Sequence, residues 1–181
     1  MLFRSKRQDI LIEAVPGARR IAALADPDIS TLQHLEALEQ SAQAHGREFF
    51  VIRAANSGEL VPAINSAVER GAGALNVLGS PMLHLNRRII MDRVAALRLP
   101  AVYQWPETAE EGGLLGYGPG FVELFRQRAE IVAKVLRGAK PGDLPVEQPS
   151  KFKLVINLNT AKAINCEVPA GLVLRADKVI E

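Results

Sequence analysis

Apolar positions along this chain fall into two alternating kinds of run. Short continuous blocks occur at Arg20–Ala25 (RIAALA), within Glu48–Arg53 (FFVI), at residues 74–78 (ALNVL) and at residues 100–104 (PAVYQ). They are too short for helices, and their lack of apolar-polar alternation suits strands buried on both faces. Between them the apolar residues recur at helical spacing: Leu32, Leu35, Leu38 and Ala42; then a segment opened by Asn56, Ser57 and Gly58 and running through Val68; then Leu85, Ile89, Val94 and Leu97. Ser30 with Gln33 three positions on reads as a capping box for the first of these helices, and Gly46 and Gly71 read as stops for the first and second. Pro62 lacks a backbone donor, so the second helix is expected to start late enough to keep it in the first turn. A short amphipathic helix over residues 9–14, ended by Pro16-Gly17, precedes the whole series.

Strands alternating with helices of this length predict an α/β fold, a doubly wound and mostly parallel sheet with right-handed crossovers. Ligands of such sheets sit beyond the carboxyl ends of the strands, which directs attention to Asp26, Ser80, Tyr103, Gln104, Trp105 and Tyr117. Tyr103, Trp105 and Tyr117 are expected to line a half-site for an aromatic or branched small solute.

The pattern changes at residues 107–120, where Gly112, Gly113, Gly116, Gly118 and Gly120 surround Leu114, Leu115 and Tyr117. A fifth strand at 114–117 framed by glycines reads as a crossover. Downstream, Phe121, Leu124, Phe125, Val132, Val135 and Leu136 stripe a helix over 121–137. The segment KPGDLPVEQPSKF holds three prolines and reads as an extended connector. A strand at 153–156 follows, then a short helix capped by Asn159 and ended at Asn165 in the left-handed conformation.

Length and composition narrow the picture. At 181 residues with 48% hydrophobic content, the chain suits one domain, or one domain and part of another. A net charge of +2 with interspersed signs gives no nucleic-acid surface and no polybasic membrane patch. Cys166, the single cysteine, excludes an intrachain disulfide and a thiolate metal cluster, and reads as a structural, partly buried thiol. No run approaches a membrane span or the apolar core of a signal peptide, so the expected address of the chain as written is the cytoplasm.

Apparent catalytic signals weigh little. Gly116, Gly118 and Gly120 flank a strand-to-helix junction, but a dinucleotide fingerprint wants glycine where Phe121 stands, and no ribose-binding acid follows. His34, His45 and His84 share no ligand spacing and read as solvated side chains rather than metal ligands. Glu110 and Glu111 are adjacent and face apart, and Ser80 has no base placed to activate it and reads as a loop cap. The residues therefore point to binding without chemistry, with no metal and no cofactor.

The run Gly112-Gly113-Leu114-Leu115-Gly116-Tyr117-Gly118-Pro119 carries a resemblance, as do Gly138-Ala139-Lys140-Pro141 and Asp143-Leu144-Pro145-Val146-Glu147-Gln148-Pro149. Val155-Ile156-Asn157-Leu158 and Thr160-Ala161-Lys162-Ala163 continue it. In order and spacing these blocks resemble the tail of ABC-transporter substrate-binding proteins related to tryptophan and tyrosine uptake lipoproteins, and EAVPGARR at residues 13–20 resembles their entry into the second lobe. The resemblance implies a type I periplasmic-binding-protein fold, a small amino-acid-like solute, an ABC permease as partner and a periplasmic address. It implies a second lobe over residues 1–118. Residues 119–181 would then be the returning helix, connector, strand and tail of a first lobe whose main part lies outside this sequence. Amino-acid-binding relatives often carry an acidic residue after the third strand, where this chain has Gly79-Ser80. A helix and strand without their lobe predict a homodimer. The alternative reading is a structural or regulatory dimer that takes no ligand, and a weaker one is a flavodoxin-like enzyme.

Overall fold

The computed structural model describes residues 2–145, 149 and 151–181. Among them, seven strands form one sheet in the order β2-β1-β3-β4-β5-β6-β7. The strands are β1 (Arg20–Ala25), β2 (Glu48–Arg53), β3 (Ala74–Val77), β4 (Ala101–Tyr103), β5 (Leu115–Gly118), β6 (Lys153–Asn157) and β7 (Lys178–Ile180). The pairs from β2 through β5 are parallel, β5 and β6 are antiparallel, and β6 and β7 run parallel to each other. The expected doubly wound, mostly parallel α/β sheet is present.

Side-chain alternation along the strands divides the core in two. Ala22, Leu24, Leu75, Val77, Ala101 and Tyr103 face helices α3 (Ser57–Glu69) and α5 (Arg87–Ala96). On the other face Ile21, Ala74, Val102, Leu115, Leu154 and Ile156 lie against α1 (Leu2–Ala14) and the short tail helices α8 (Leu158–Ala163) and α9 (Ala170–Val173). Leu35 and Leu38 of α2 (Leu32–Ala44) extend this second layer over Ala23 and Ala25.

Several local expectations need correction. Helix α1 begins at Leu2, not near Asp9, because Arg7 and Gln8 are buried polar residues that an apolar stripe does not reveal. Ser30 does not cap α2: Thr31 occupies the N-cap without a side-chain bond, and Leu32 is 72% exposed rather than in the stripe. Helix α3 starts at Ser57, where Asn56 Oδ1 accepts the Gly58 N–H at 3.0 Å, so Pro62 lies in its second turn, not its first.

The single helix expected over 85–97 is two, α4 (Pro81–Leu85) and α5, broken at Asn86, whose Nδ2 donates to the Met82 carbonyl at 2.8 Å. Leu85 and Ile89 consequently point outward. Part of the glycine-rich stretch is a helix, α6 (Pro106–Glu110), with Pro106 in the first turn where its missing N–H costs nothing. Of the five glycines there, only Gly112 takes a positive φ, +119°. Asn157, not Asn159, caps α8, accepting the Thr160 N–H and donating to the Ala109 carbonyl, both at 3.0 Å, and Asn165 ends that segment at φ +56°.

The largest correction concerns the tail. Strand β6 inserts between β5 and β7, with Leu115 opposite Ile156 and Tyr117 opposite Leu154. It therefore belongs to the same sheet as β1–β5 and not to a separate unit with the helix that precedes it. That helix, α7 (Phe121–Leu136), has no buried residue, and Val122, Phe125, Val132 and Leu136 are more than half exposed. Of the connector motif, Val146, Glu147, Gln148 and Ser150 lie outside the described residues.

Candidate functional site

The carboxyl ends of β1, β3 and β4 converge on one edge of the sheet. Asp26 leaves β1 in a turn, its Oδ1 accepting the Asp28 N–H at 3.0 Å. Ser80 leaves β3 as the N-cap of α4, accepting the Leu83 N–H at 3.1 Å and donating to Asp26 Oδ2 at 2.7 Å. Both residues are buried, so this hydroxyl-carboxylate bond ties the two strand exits together. Ser80 does cap, as its loop position suggests.

Gln104 and Trp105 leave β4. The Gln104 side chain lies across Gly79, where a Cβ would stand 1.4 Å from its Oε1. The Trp105 indole stacks on Phe121 at the start of α7, with centroids 4.2 Å apart and planes at 19°. His84, one turn after Ser80 on α4, meets Trp105 edge-on at 6.0 Å and Phe121 at 5.2 Å. Gly79, Ser80, Pro81, His84, Gln104 and Trp105 enclose a depression of about 230 Å³. A void of about 20 Å³ continues below it toward Val77, Tyr103 and Arg87.

Charged groups stand around this depression rather than in it. Arg87 binds Glu111 through two hydrogen bonds, at 2.6 and 3.1 Å, and a third donor reaches the His84 carbonyl at 3.2 Å. Glu107 Oε1 accepts the Phe121 N–H at 2.7 Å, a carboxylate at the positive end of α7. Burial, and then the Arg87 guanidinium, hold His84 below its ordinary pKa, with Glu111 and Glu107 opposing.

His84 is therefore neutral at neutral pH in the folded protein, while in the unfolded chain it takes a proton near pH 6.5. The unfolded state then binds more protons, so stability present above about pH 6.5 is lost as the pH falls. Thermal unfolding at pH 7.5 and 5.5 should show a smaller loss for His84→Gln than for the parent, and equal losses would rule out His84 as the source.

The six residues expected at the site separate into two groups. Asp26, Ser80, Gln104 and Trp105 come together. Tyr103 does not line the open depression: it is 3% exposed beneath it, its buried hydroxyl has no partner among the described residues, and burial raises its pKa. Tyr117 lies on the opposite face. Gly116, not Tyr117, stands opposite Tyr103, so the alternation sends the Tyr117 ring toward Phe152 and α1. His84 and Phe121 escape the sequence reading. The signals available for them were the four-residue spacing from Ser80 and the position directly after Gly120.

A family model described as ABC transporter substrate binding protein matches residues 4–180. Among curated proteins, a tyrosine-binding protein of Clostridioides difficile is 24% identical over 166 residues, which cover 90% of this chain and 47% of that protein. Two solved structures superpose closely. A conserved domain protein from Vibrio cholerae gives a TM-score of 0.88 at 21% identity, over 97% of this chain and 60% of that one. An ABC domain in complex with L-Trp from Streptococcus pneumonia gives 0.86 at 21% identity, over 98% and 60%. The chain thus spans about half to three fifths of the length of these relatives.

Proposed function

Because this chain belongs to the ABC transporter substrate-binding protein family, we propose that it is the second lobe of a two-lobe protein that captures a small amino-acid-like solute for an ABC permease, without chemistry. The depression at the ends of β3 and β4, with Trp105 as its aromatic wall and Gln104 as its amide, is the observation that carries this reading. The relatives named above as binding tyrosine or L-Trp favour an aromatic solute. Proteins of this family are normally periplasmic or extracellular, which favours the same address here. Among the described residues, no helix is long and apolar enough to cross a membrane.

One lobe supplies about half of the contacts, so affinity for L-tryptophan or L-phenylalanine should be weak, with a Kd of roughly 0.1–1 mM. Titration followed by calorimetry tests this. Binding in the low micromolar range by a monomer would show that the site is whole in this chain, and no binding at millimolar solute would remove the reading.

The uncovered face of α7 supports a second reading, a homodimer. Val122, Phe125, Val132 and Leu136 fall three, seven and four residues apart, a narrow apolar seam along the helix. In a two-lobe protein the seam would pack against the other lobe, and in this chain by itself it would pack against a second copy. Light scattering behind a sizing column should give twice the mass of one chain at tens of micromolar, reduced to one chain by Phe125→Glu. A monomeric parent would exclude the dimer.

A further inference from the structure

We infer that this lobe's half-site recognises an uncharged planar ring and takes no part in holding the charged groups of its ligand. The inference rests on the solute-binding reading and specifies which part of the solute this lobe holds. None of the six residues that enclose the depression is Asp, Glu, Lys or Arg.

Each neighbouring ionised group is either engaged or turned away. The Asp26 carboxylate stands behind Ser80, 5% exposed, with its two oxygens accepting the Ser80 hydroxyl and the Asp28 N–H. Arg87 borders only the small lower void and is neutralised by its fork on Glu111. Glu107 holds the N-terminus of α7 with one oxygen, while the other is buried without a partner among the described residues and borders neither space. His84 adds no charge, because burial and Arg87 disfavour its protonated form.

What remains is dipolar and aromatic. Among the described residues the Gln104 amide makes no side-chain hydrogen bond, and Gly79 leaves room for it, so donors and acceptors face the depression without a full charge. Phe121 covers one face of the Trp105 indole and holds the ring as a fixed wall. A space of about 230 Å³ lies below the usual range for a whole ligand site and suits a ring rather than a complete solute. An ammonium or carboxylate placed here would lose hydration without gaining a counter-charge. Those groups therefore point out of the half-site, toward solvent or toward an opposing lobe.

Trp105 is the only tryptophan, so its indole N–H gives a single nitrogen-proton resonance that reports on the site. Titrating the protein with indole, tryptamine, indole-3-propionate and L-tryptophan compares one ring carrying no charge, a positive charge, a negative charge and both. Dissociation constants within about fivefold of one another are expected, all weakened by the same factor in Gln104→Ala. A charged compound binding more than fivefold tighter than indole would overturn the inference while leaving solute binding intact, and tryptamine alone doing so would point to a neighbouring carboxylate as an ammonium partner. Failure of all four to move the resonance would instead remove the solute-binding reading, and the inference with it.

Discussion

Alanine at Gly118 is expected to lower the unfolding free energy by roughly 2–3 kcal/mol, the upper part of the range for forcing an extra carbon into a packed position. A Cβ there would stand 1.9 Å from the Gln104 carbonyl oxygen and 3.2 Å from its carbon. Both atoms are backbone, and Gln104 directly follows the β4 residue that pairs with Gly116. Relief therefore requires the end of β5 to separate from the exit of β4, which also carries Trp105. Urea denaturation measures the loss, with Gly17→Ala as the control, since nothing lies within 4 Å of that position. Equal midpoints for the two variants would show that the strands separate there at little cost. Gly79→Ala should behave differently, because its added carbon meets only the end of the Gln104 side chain, which can swing away. That variant should keep most of its stability and lose the amide from the depression.

The contrast between these glycines shows what was legible in the sequence. Strands β1–β5 stand within a residue or two of their expected places, because strands covered on both faces give apolar runs that few other elements imitate. Parallel order followed from helices placed between them. Strand β6 was found, but its partners were not. An antiparallel insertion beside β5 depends on a connection through α7 and the proline-rich segment, and no local pattern encodes where that connection returns. The placement of Asp26, Ser80, Gln104 and Trp105 beside one another around the candidate site was legible because each follows a recognisable strand. Tyr117 was misplaced because its face depends on the register of β5 against β4, which one strand's composition does not contain. His84 and Phe121 were missed because a histidine or phenylalanine in a helix reads as surface or stripe until the neighbouring strand exit is located.

Asn76 presents the same problem inside the core and leads to a second large effect. A single polar residue in the apolar run ALNVL, it is fully buried in the centre of the sheet on the face covered by α1. Its Oδ1 accepts the Arg7 Nε–H at 3.0 Å, and its Nδ2 donates to Gln8 Oε1 at 3.4 Å. Gln8 in turn donates to the Leu38 carbonyl in the middle of α2. Three polar side chains, each less than 5% exposed, thus link β3, α1 and α2, and their hydrogen bonds are what make their burial tolerable. Hydrogen bonds to charged groups contribute about 1.5–3 kcal/mol, and stripping a partner from a buried network exposes the desolvation cost of what is left. Asn76→Ala should therefore cost roughly 3 kcal/mol, with a cavity adding to the loss of the Arg7 acceptor. Denaturant midpoints with an unchanged slope would establish that the loss is one of stability. In an Arg7→Met background, where the bond between them is already gone, Asn76→Ala should cost less than it does in the parent. Equal costs in the two backgrounds would mean that the Arg7 bond adds nothing, and that Asn76 is held by Gln8 and by packing.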